Sequence, residues 1–178
     1  MPLAAGRVDL LWSNMALHWA VDQTAVLREF ARVLAPNGLL MFSTLGPDTL
    51  KELRLAAGPD RVHRFTDMHD IGDALVSAGF AAPVMDAELV TLTYADAAGL
   101  FSDLRRSGQT SARSDRARGL HGRRFFEQLR AKIAAQAGGG RIAATFEVVY
   151  GHAWRGERRP HDDGRAVINT DALRHRIR

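Results

Sequence analysis

Val8-Asp9-Leu10-Leu11-Trp12-Ser13-Asn14-Met15-Ala16-Leu17-His18-Trp19, followed across an amphipathic stretch by Pro36-Asn37-Gly38-Leu39-Leu40-Met41-Phe42-Ser43-Thr44, decides the fold of this chain. Val8 to Trp12 is a short, nearly continuous apolar run, the pattern of a central strand covered on both faces. From about Asp22 to Leu34 the apolar residues Val26, Leu27, Phe30, Ala31 and Leu34 recur at helical spacing, with Asp22 or Thr24 able to cap the first turn. Pro36 stops that helix, and Asn37-Gly38 can adopt the left-handed conformation that follows one. Gly38 to Thr44 reads as a second buried strand ending in hydroxyls. Strand, polar turn, helix, tight turn and strand make one parallel βαβ unit of an open α/β sheet, and such sheets bind ligands beyond the carboxyl ends of their strands. The unit begins almost at residue 1, with no glycine-rich cofactor turn ahead of it. The expectation is the second half of an enzyme.

Outward from this unit, Gly46-Pro47-Asp48 is expected to open a short helix through about Leu55, and residues 58 to 66 read as a loop. Asp67 to Ala78 carries helical spacing through Ile71, Leu75 and Val76, and Gly79 stops it. Val84 to Tyr94 alternates as a strand does, Ala95 to Arg106 is helical, and residues 107 to 122 form a loop. Phe125 to Ala137 is a further helix ended by three glycines, and Ala144 to Trp154 is a final strand. From Arg155 onward charge, proline and glycine dominate, so residues 155–178 are expected to be a disordered basic tail behind a domain spanning 1–154.

The 178 residues suffice for one domain with a core, and 46% hydrophobic with 25% charged residues is an ordinary globular composition. The absence of cysteine excludes disulfides and thiol catalysis and makes a reducing cytoplasm the natural compartment. Arg7 and Asp9 interrupt any apolar leader, and no run approaches the roughly 18 apolar residues of a membrane span. The net charge of +4 is unevenly spread: residues 1 to 103 hold 7 basic and 13 acidic groups, whereas residues 104 to 132 hold 9 basic and 2 acidic ones. Of the 24 basic residues only Lys51 and Lys132 are lysines, which fits a plain genomic base bias.

Leu11 to Trp19, with Val26-Leu27-Arg28-Glu29-Phe30 and Val33-Leu34-Ala35-Pro36-Asn37-Gly38, resembles the region from strand 4 through strand 5 of class I S-adenosylmethionine-dependent methyltransferases. More specific are Phe42-Ser43-Thr44-Leu45-Gly46-Pro47-Asp48-Thr49-Leu50-Lys51-Glu52-Leu53, Asp70-Ile71-Gly72-Asp73-Ala74-Leu75, and Ala144 to Trp154. Together they resemble the malonyl-acyl-carrier-protein O-methyltransferases of biotin synthesis over about residues 3 to 154. A related mitochondrial complex I assembly factor, held to hydroxylate an arginine, shares the Gly-x-Asp-Thr-Leu-x-Glu-Leu pattern and remains an alternative, as does a non-catalytic interaction module. The resemblance implies an α/β sheet of seven strands in the order 3-2-1-4-5-7-6, of which this chain carries strands 4 to 7 with their helices. The family's glycine-rich turn after strand 1, acidic residue after strand 2 and polar turn after strand 3 have no counterpart here, and Met1-Pro2-Leu3-Ala4 resembles the interior stretch before strand 4. A misplaced start or a truncation is the expectation, with impaired activity in the chain as given and self-association through an exposed strand 4 edge.

The resemblance implies S-adenosylmethionine as cofactor and the thioester of an acyl carrier protein as substrate, with neither nucleic acid nor membrane as partner. Transfer of a methyl group to a carboxylate is an in-line displacement in which an ionised carboxylate is already the nucleophile. The protein need only hold donor and acceptor together and exclude water. By resemblance Ser13, Asn14, Met15 and Ala16 line the cofactor's methionine moiety; alternatively Asn14 caps the following turn. His18, Trp19 and Thr44 are candidate substrate-binding residues, against the plainer reading of His18 and Trp19 as packing groups and of nearby Asp48 as a helix cap. Arg105 and Arg106 head a basic segment that also holds Arg113, Arg116, Arg118, Arg123 and Arg124. Arginine matches a carboxylate bidentately, so one could hold the substrate's acid while others dock an acidic carrier protein, or the segment is a solvated face. No metal site and no specific catalytic residue is indicated.

Overall fold

The computed structural model describes residues 1–109 and 122–156. The elements run β1 (Val8–Asn14), a 3-10 turn (Leu17–Trp19), α1 (Gln23–Val33), β2 (Leu34–Leu45), α2 (Lys51–Ala57), a second 3-10 turn (Pro59–Arg61), α3 (Met68–Ser77), β3 (Phe80–Tyr94), α4 (Ala97–Arg106), α5 (Arg123–Ala134) and β4 (Ile142–Arg155). The strands form one mixed sheet in the order β1-β2-β4-β3, with β1 and β2 parallel and β4 antiparallel to both of its neighbours. That is the order expected for the last four strands of the methyltransferase sheet.

Asp22 caps α1 by accepting the Ala25 amide at 2.9 Å, and Asp67 and Asp96 cap α3 and α4 in the same way. α1 passes into β2 without a loop. Asn37 takes φ +62°, and a Cβ on Gly38 would come within 2.9 Å of the Ala35 carbonyl and 3.1 Å of that of Val8, so this close crossing demands glycine. α1 and α3 cover one face of the sheet, where Leu27, Ala31, Ile71 and Leu75 pack on Leu40, Phe42 and Ala153. A second core gathers α2, α4 and α5 over the start of β4, with Leu50, Leu100, Leu104 and Ile133 against Ile142 and Ala144. Burying each such side chain is worth roughly 1.5–3 kcal/mol.

Several boundaries differ from the sequence reading. Residues 47–50 form a turn, α2 starts only at Lys51, and Asp48 binds Lys51 at 3.0 Å instead of capping the helix. β3 begins at Phe80, because the chain pairs with β4 on both sides of an irregularity between Ala81 and Val84 that absorbs Pro83, which has no amide to donate. β4 runs through Arg155. The expected tail beyond residue 156 and the loop residues 110–121 lie outside the described residues.

The apolar run of β1 is that of a central strand in the intact sheet, and in this chain it is the open edge that the resemblance implies, with Leu10 55% and Trp12 75% exposed. β1 pairs only with β2 among the described residues and forms a sheet edge. On the face opposite α1 and α3, Leu10, Trp12, Met41, Val84, Tyr150 and Trp154 are all exposed. Among the described residues no helix is long and apolar enough to cross a membrane.

Candidate active site

Alternation along β1 sends Ser13 and Asn14 to opposite faces, Ser13 being buried and Asn14 exposed. Beyond Asn14 the chain turns sharply: Met15 takes φ +50°, a conformation that costs a side-chain-bearing residue about 1–3 kcal/mol. The turn is secured from β2. The Met15 amide donates to the Ser43 carbonyl at 3.0 Å and to the Ser43 hydroxyl at 3.1 Å, and that hydroxyl donates to Asn14 Oδ1 at 2.5 Å. Asn14 lines a hollow of about 460 Å³ on the bare sheet face, together with Trp12, Met41 and His152.

The 3-10 turn that follows buries His18, which is 2% exposed, while Trp19 stays partly open. Thr44, fully buried at the end of β2, holds the His18 ring through a 3.3 Å contact between its hydroxyl and Nδ1. From the loop 58–66 His63 reaches back, its Nε2 donating to the His18 carbonyl at 2.8 Å. Trp19, His18, His63 and Phe65 thus form a ring cluster with centroids 5.1 to 6.0 Å apart. Burial, and secondarily the charge of His63, push the His18 pKa down to about 4, so the imidazole is neutral at pH 7. His18 Nε2 and His63 Nδ1 are both buried without a hydrogen-bond partner.

Two crevices share His18, Trp19 and His63 as a common wall. The larger, about 810 Å³, extends over Val21, Arg64 and Asp70; the smaller, about 60 Å³, runs in between Leu53, Arg61, Phe65 and Leu104. Of the sequence candidates, His18, Trp19 and Thr44 come together here, Thr44 only through His18. Asn14 lies around the end of β1 on the other sheet face. Arg105, whose Nε donates to the Phe101 carbonyl at 3.0 Å, and Arg106 are exposed beside Leu104, outside the lining of these two crevices. Arg113, Arg116 and Arg118 lie outside the described residues. Sequence reasoning passed over His63 and Phe65, which sit in an unpatterned loop and acquire meaning only by reaching back to His18.

The Gly46 to Leu53 motif has a structural role. It runs alongside β4, with the Gly46 amide bound to the Glu147 carbonyl at 2.9 Å and the Leu50 amide to the Thr145 carbonyl at 2.6 Å. The Thr49 hydroxyl donates to the Glu147 carbonyl and accepts the Glu147 amide. Glu52 takes both the amide and the hydroxyl of Thr145, and Glu147 takes the Asp48 amide at 2.7 Å. The two carboxylates are therefore engaged in clasping this loop to the sheet.

The methyltransferase domain family matches residues 1–42. The chain is 53% identical over 163 residues to the malonyl-[acyl-carrier protein] O-methyltransferase of Methylovorus sp., covering 89% of this chain and 55% of that protein. It is 53% identical over 175 residues to the same enzyme of Laribacter hongkongensis, covering 94% of this chain and 59% of that protein. The chain thus spans under two thirds of the length of these relatives. A solved methyltransferase structure from Bacillus halodurans superimposes with a TM-score of 0.61 at 16% identity, covering 88% of this chain and 68% of that one, so the fold is that of an α/β methyltransferase.

Proposed function

From that similarity over nearly the whole of this chain, we propose that its residues belong to an S-adenosylmethionine-dependent carboxyl O-methyltransferase acting on malonyl-acyl carrier protein in biotin synthesis. In this reading β1, β2, β4 and β3 correspond to strands 4, 5, 7 and 6 of a seven-stranded sheet, and residues 1–154 form part of that domain. The identity of 53% to the malonyl-acyl-carrier-protein enzymes over 163 and 175 residues carries the proposal.

The cofactor supplies an activated methyl group on a sulfonium. The residues present fit one side of it: Asn14 and Met15, held by Ser43, with Ala16 following, form a turn at the carboxyl ends of two parallel strands, where open sheets place their ligands, while Ser13 points to the opposite, buried face. The ribose and the methionine carboxylate call for further convergent polar groups than this turn offers. Trp19, His18 and His63 close the acceptor side and keep water from the transfer. A carboxylate needs no base, in keeping with a site whose buried histidine is neutral. Arg105, Arg106, Arg123 and Arg124, exposed on α4 and α5, provide the basic face for an acidic carrier protein.

A chimera carrying the amino-terminal portion of the Methylovorus enzyme ahead of this chain tests the reading. It is expected to transfer labelled methyl from the cofactor to the free carboxylate of a malonyl thioester. A folded chimera that binds the cofactor and methylates no malonyl thioester overturns it.

A further inference from the structure

The two unpartnered imidazole nitrogens are the unmet polar atoms of the candidate site, and their protonation follows from their neighbours. A carbonyl oxygen only accepts, so His63 carries a proton on the Nε2 that faces the His18 carbonyl. For His18 two tautomers are open. With the proton on Nδ1, both the buried Thr44 hydroxyl proton and the Nε2 lone pair lack partners. With the proton on Nε2, Thr44 donates to Nδ1 and one unmet group remains, the Nε2–H itself. The second arrangement leaves fewer buried polar groups unsatisfied, each of which is costly.

We propose that His18 Nε2–H is the donor that receives the carboxylate of the acyl substrate, and that Thr44 and His63 are positioning residues which set its tautomer and place. This rests on the carboxyl-methylation reading above. Three observations converge on it. The donor is 98% buried by its residue, neutral and unpaired, so it awaits an acceptor from outside the protein. His18 lines an inner crevice of about 60 Å³, larger than the roughly 10–15 Å³ needed for a water, so an oxygen atom fits next to its ring. Arg61, stacked on the Phe125 ring at 4.8 Å, lines this inner crevice, which holds no carboxylate among the described residues, whereas Arg64 lines the wider one together with Asp22 and Asp70, so the charge of the inner crevice suits an anion.

The chemistry selects a carboxylate over an amine. One carboxylate oxygen accepts from Nε2–H while the other keeps its lone pair for attack; an amine has a single lone pair and cannot do both. As the O–CH3 bond forms the S–CH3 bond breaks, its electron pair leaves on sulfur, and no proton is taken up or released. His18 keeps its proton throughout and acts by orientation. The neutral ester that results is a weaker acceptor than the carboxylate, which favours release.

The test uses the 178-residue chain labelled with 15N-histidine, titrated with malonyl pantetheine and, separately, with its methyl ester. Long-range 1H–15N spectra are expected to show His18 as the Nε2–H tautomer, to shift Nε2 on addition of the free acid, and to show binding of the ester weaker by about tenfold or more, the loss expected for a hydrogen bond to a charged acceptor. His18→Gln, which retains an N–H donor, is expected to bind within about tenfold of the parent, and His18→Phe to lose more than that with its backbone amide spectrum unchanged. Equal binding of acid and ester, an Nδ1–H tautomer, or His18 resonances unmoved by bound acid overturn this inference and leave the methyl-transfer reading standing. Binding of neither thioester likewise overturns this inference alone, whereas a silent chimera in the methyl-transfer assay with these shifts present overturns only the reading.

Discussion

The Ser43 hydroxyl donates to Asn14 Oδ1 at 2.5 Å while accepting the Met15 amide at 3.1 Å, so one side chain on β2 holds both the last residue of β1 and the left-handed residue after it. Ser43→Ala is expected to cost about 0.5–1.5 kcal/mol in urea unfolding. Asn14→Ala leaves the Ser43 hydroxyl unmet and is expected to cost about 1–3 kcal/mol. Because the two side chains form one unit, the double variant should cost clearly less than the sum. Strict additivity would show that the contact carries no coupling.

His18 makes stability depend on pH in a defined window. Its pKa is about 4 in the folded chain against 6.5 when exposed. Above pH 6.5 both states are neutral and the shift contributes nothing. As pH falls from 6.5 towards 4 the unfolded chain binds a proton that the folded chain refuses, and stability drops by up to about 3 kcal/mol, with no further loss from this group below 4. Denaturant titrations at several pH values should show a shallower acid limb for His18→Phe than for the parent. Parallel limbs would show that another group controls this range.

Gly151 on β4 lies against Phe42 of β2, and a Cβ there would meet the ring at 2.4 Å. Gly151→Ala is expected to destabilise by about 1–3 kcal/mol through overpacking, and Phe42→Leu in the same chain to recover part of that loss. Thermal melts of the parent and these two variants decide the point; an alanine that melts with the parent would mean that the ring moves aside freely.

If α4 and α5 dock an acidic carrier, replacing Arg105, Arg106, Arg123 and Arg124 with Glu should slow association with malonyl-acyl carrier protein and flatten its salt dependence. Binding of malonyl pantetheine, which lacks the protein surface, should change little. Stopped-flow measurements at low and moderate salt separate these outcomes, and equal loss for both ligands would assign the arginines to folding.

β1 presents an unpaired edge among the described residues, with Leu10 and Trp12 exposed. Apolar edges of this kind template association. Sedimentation of the chain should reveal concentration-dependent self-association, relieved by Leu10→Lys with Trp12→Lys. A monodisperse parent with strongly protected amides along Val8 to Asn14 would refute this.

Much of the architecture is local and therefore legible. The α1 spacing of Val26, Leu27, Phe30 and Ala31, the aspartates ahead of α1, α3 and α4, and Gly79 after α3 each act within one or two turns of chain. The boundaries that shifted depend on partners far away. β2 starts early because Leu34 pairs with Val8 of β1, β3 starts early because Phe80 and Ala81 pair with Arg155 and Trp154 of β4, and residues 46–50 track β4 instead of coiling into a helix.

At the site, the chain alone pointed to His18, Trp19 and Thr44 by their place after parallel strands, since the end of a strand is a position that local pattern defines. It could not show that Asn14 faces away from them, because which side of a sheet a residue occupies beyond a tight turn depends on register and on Ser43. Nor could it single out His63, 45 positions from His18, or rank Glu52 and Glu147 as clasp residues nearly a hundred positions from their partners. Composition and periodicity determined that this chain builds a parallel α/β unit with polar residues at its carboxyl end. Only the tertiary structure decided which of those residues meet, because hydrogen bonds and burial are set by distance in space and local pattern carries no information about contacts between segments this far apart.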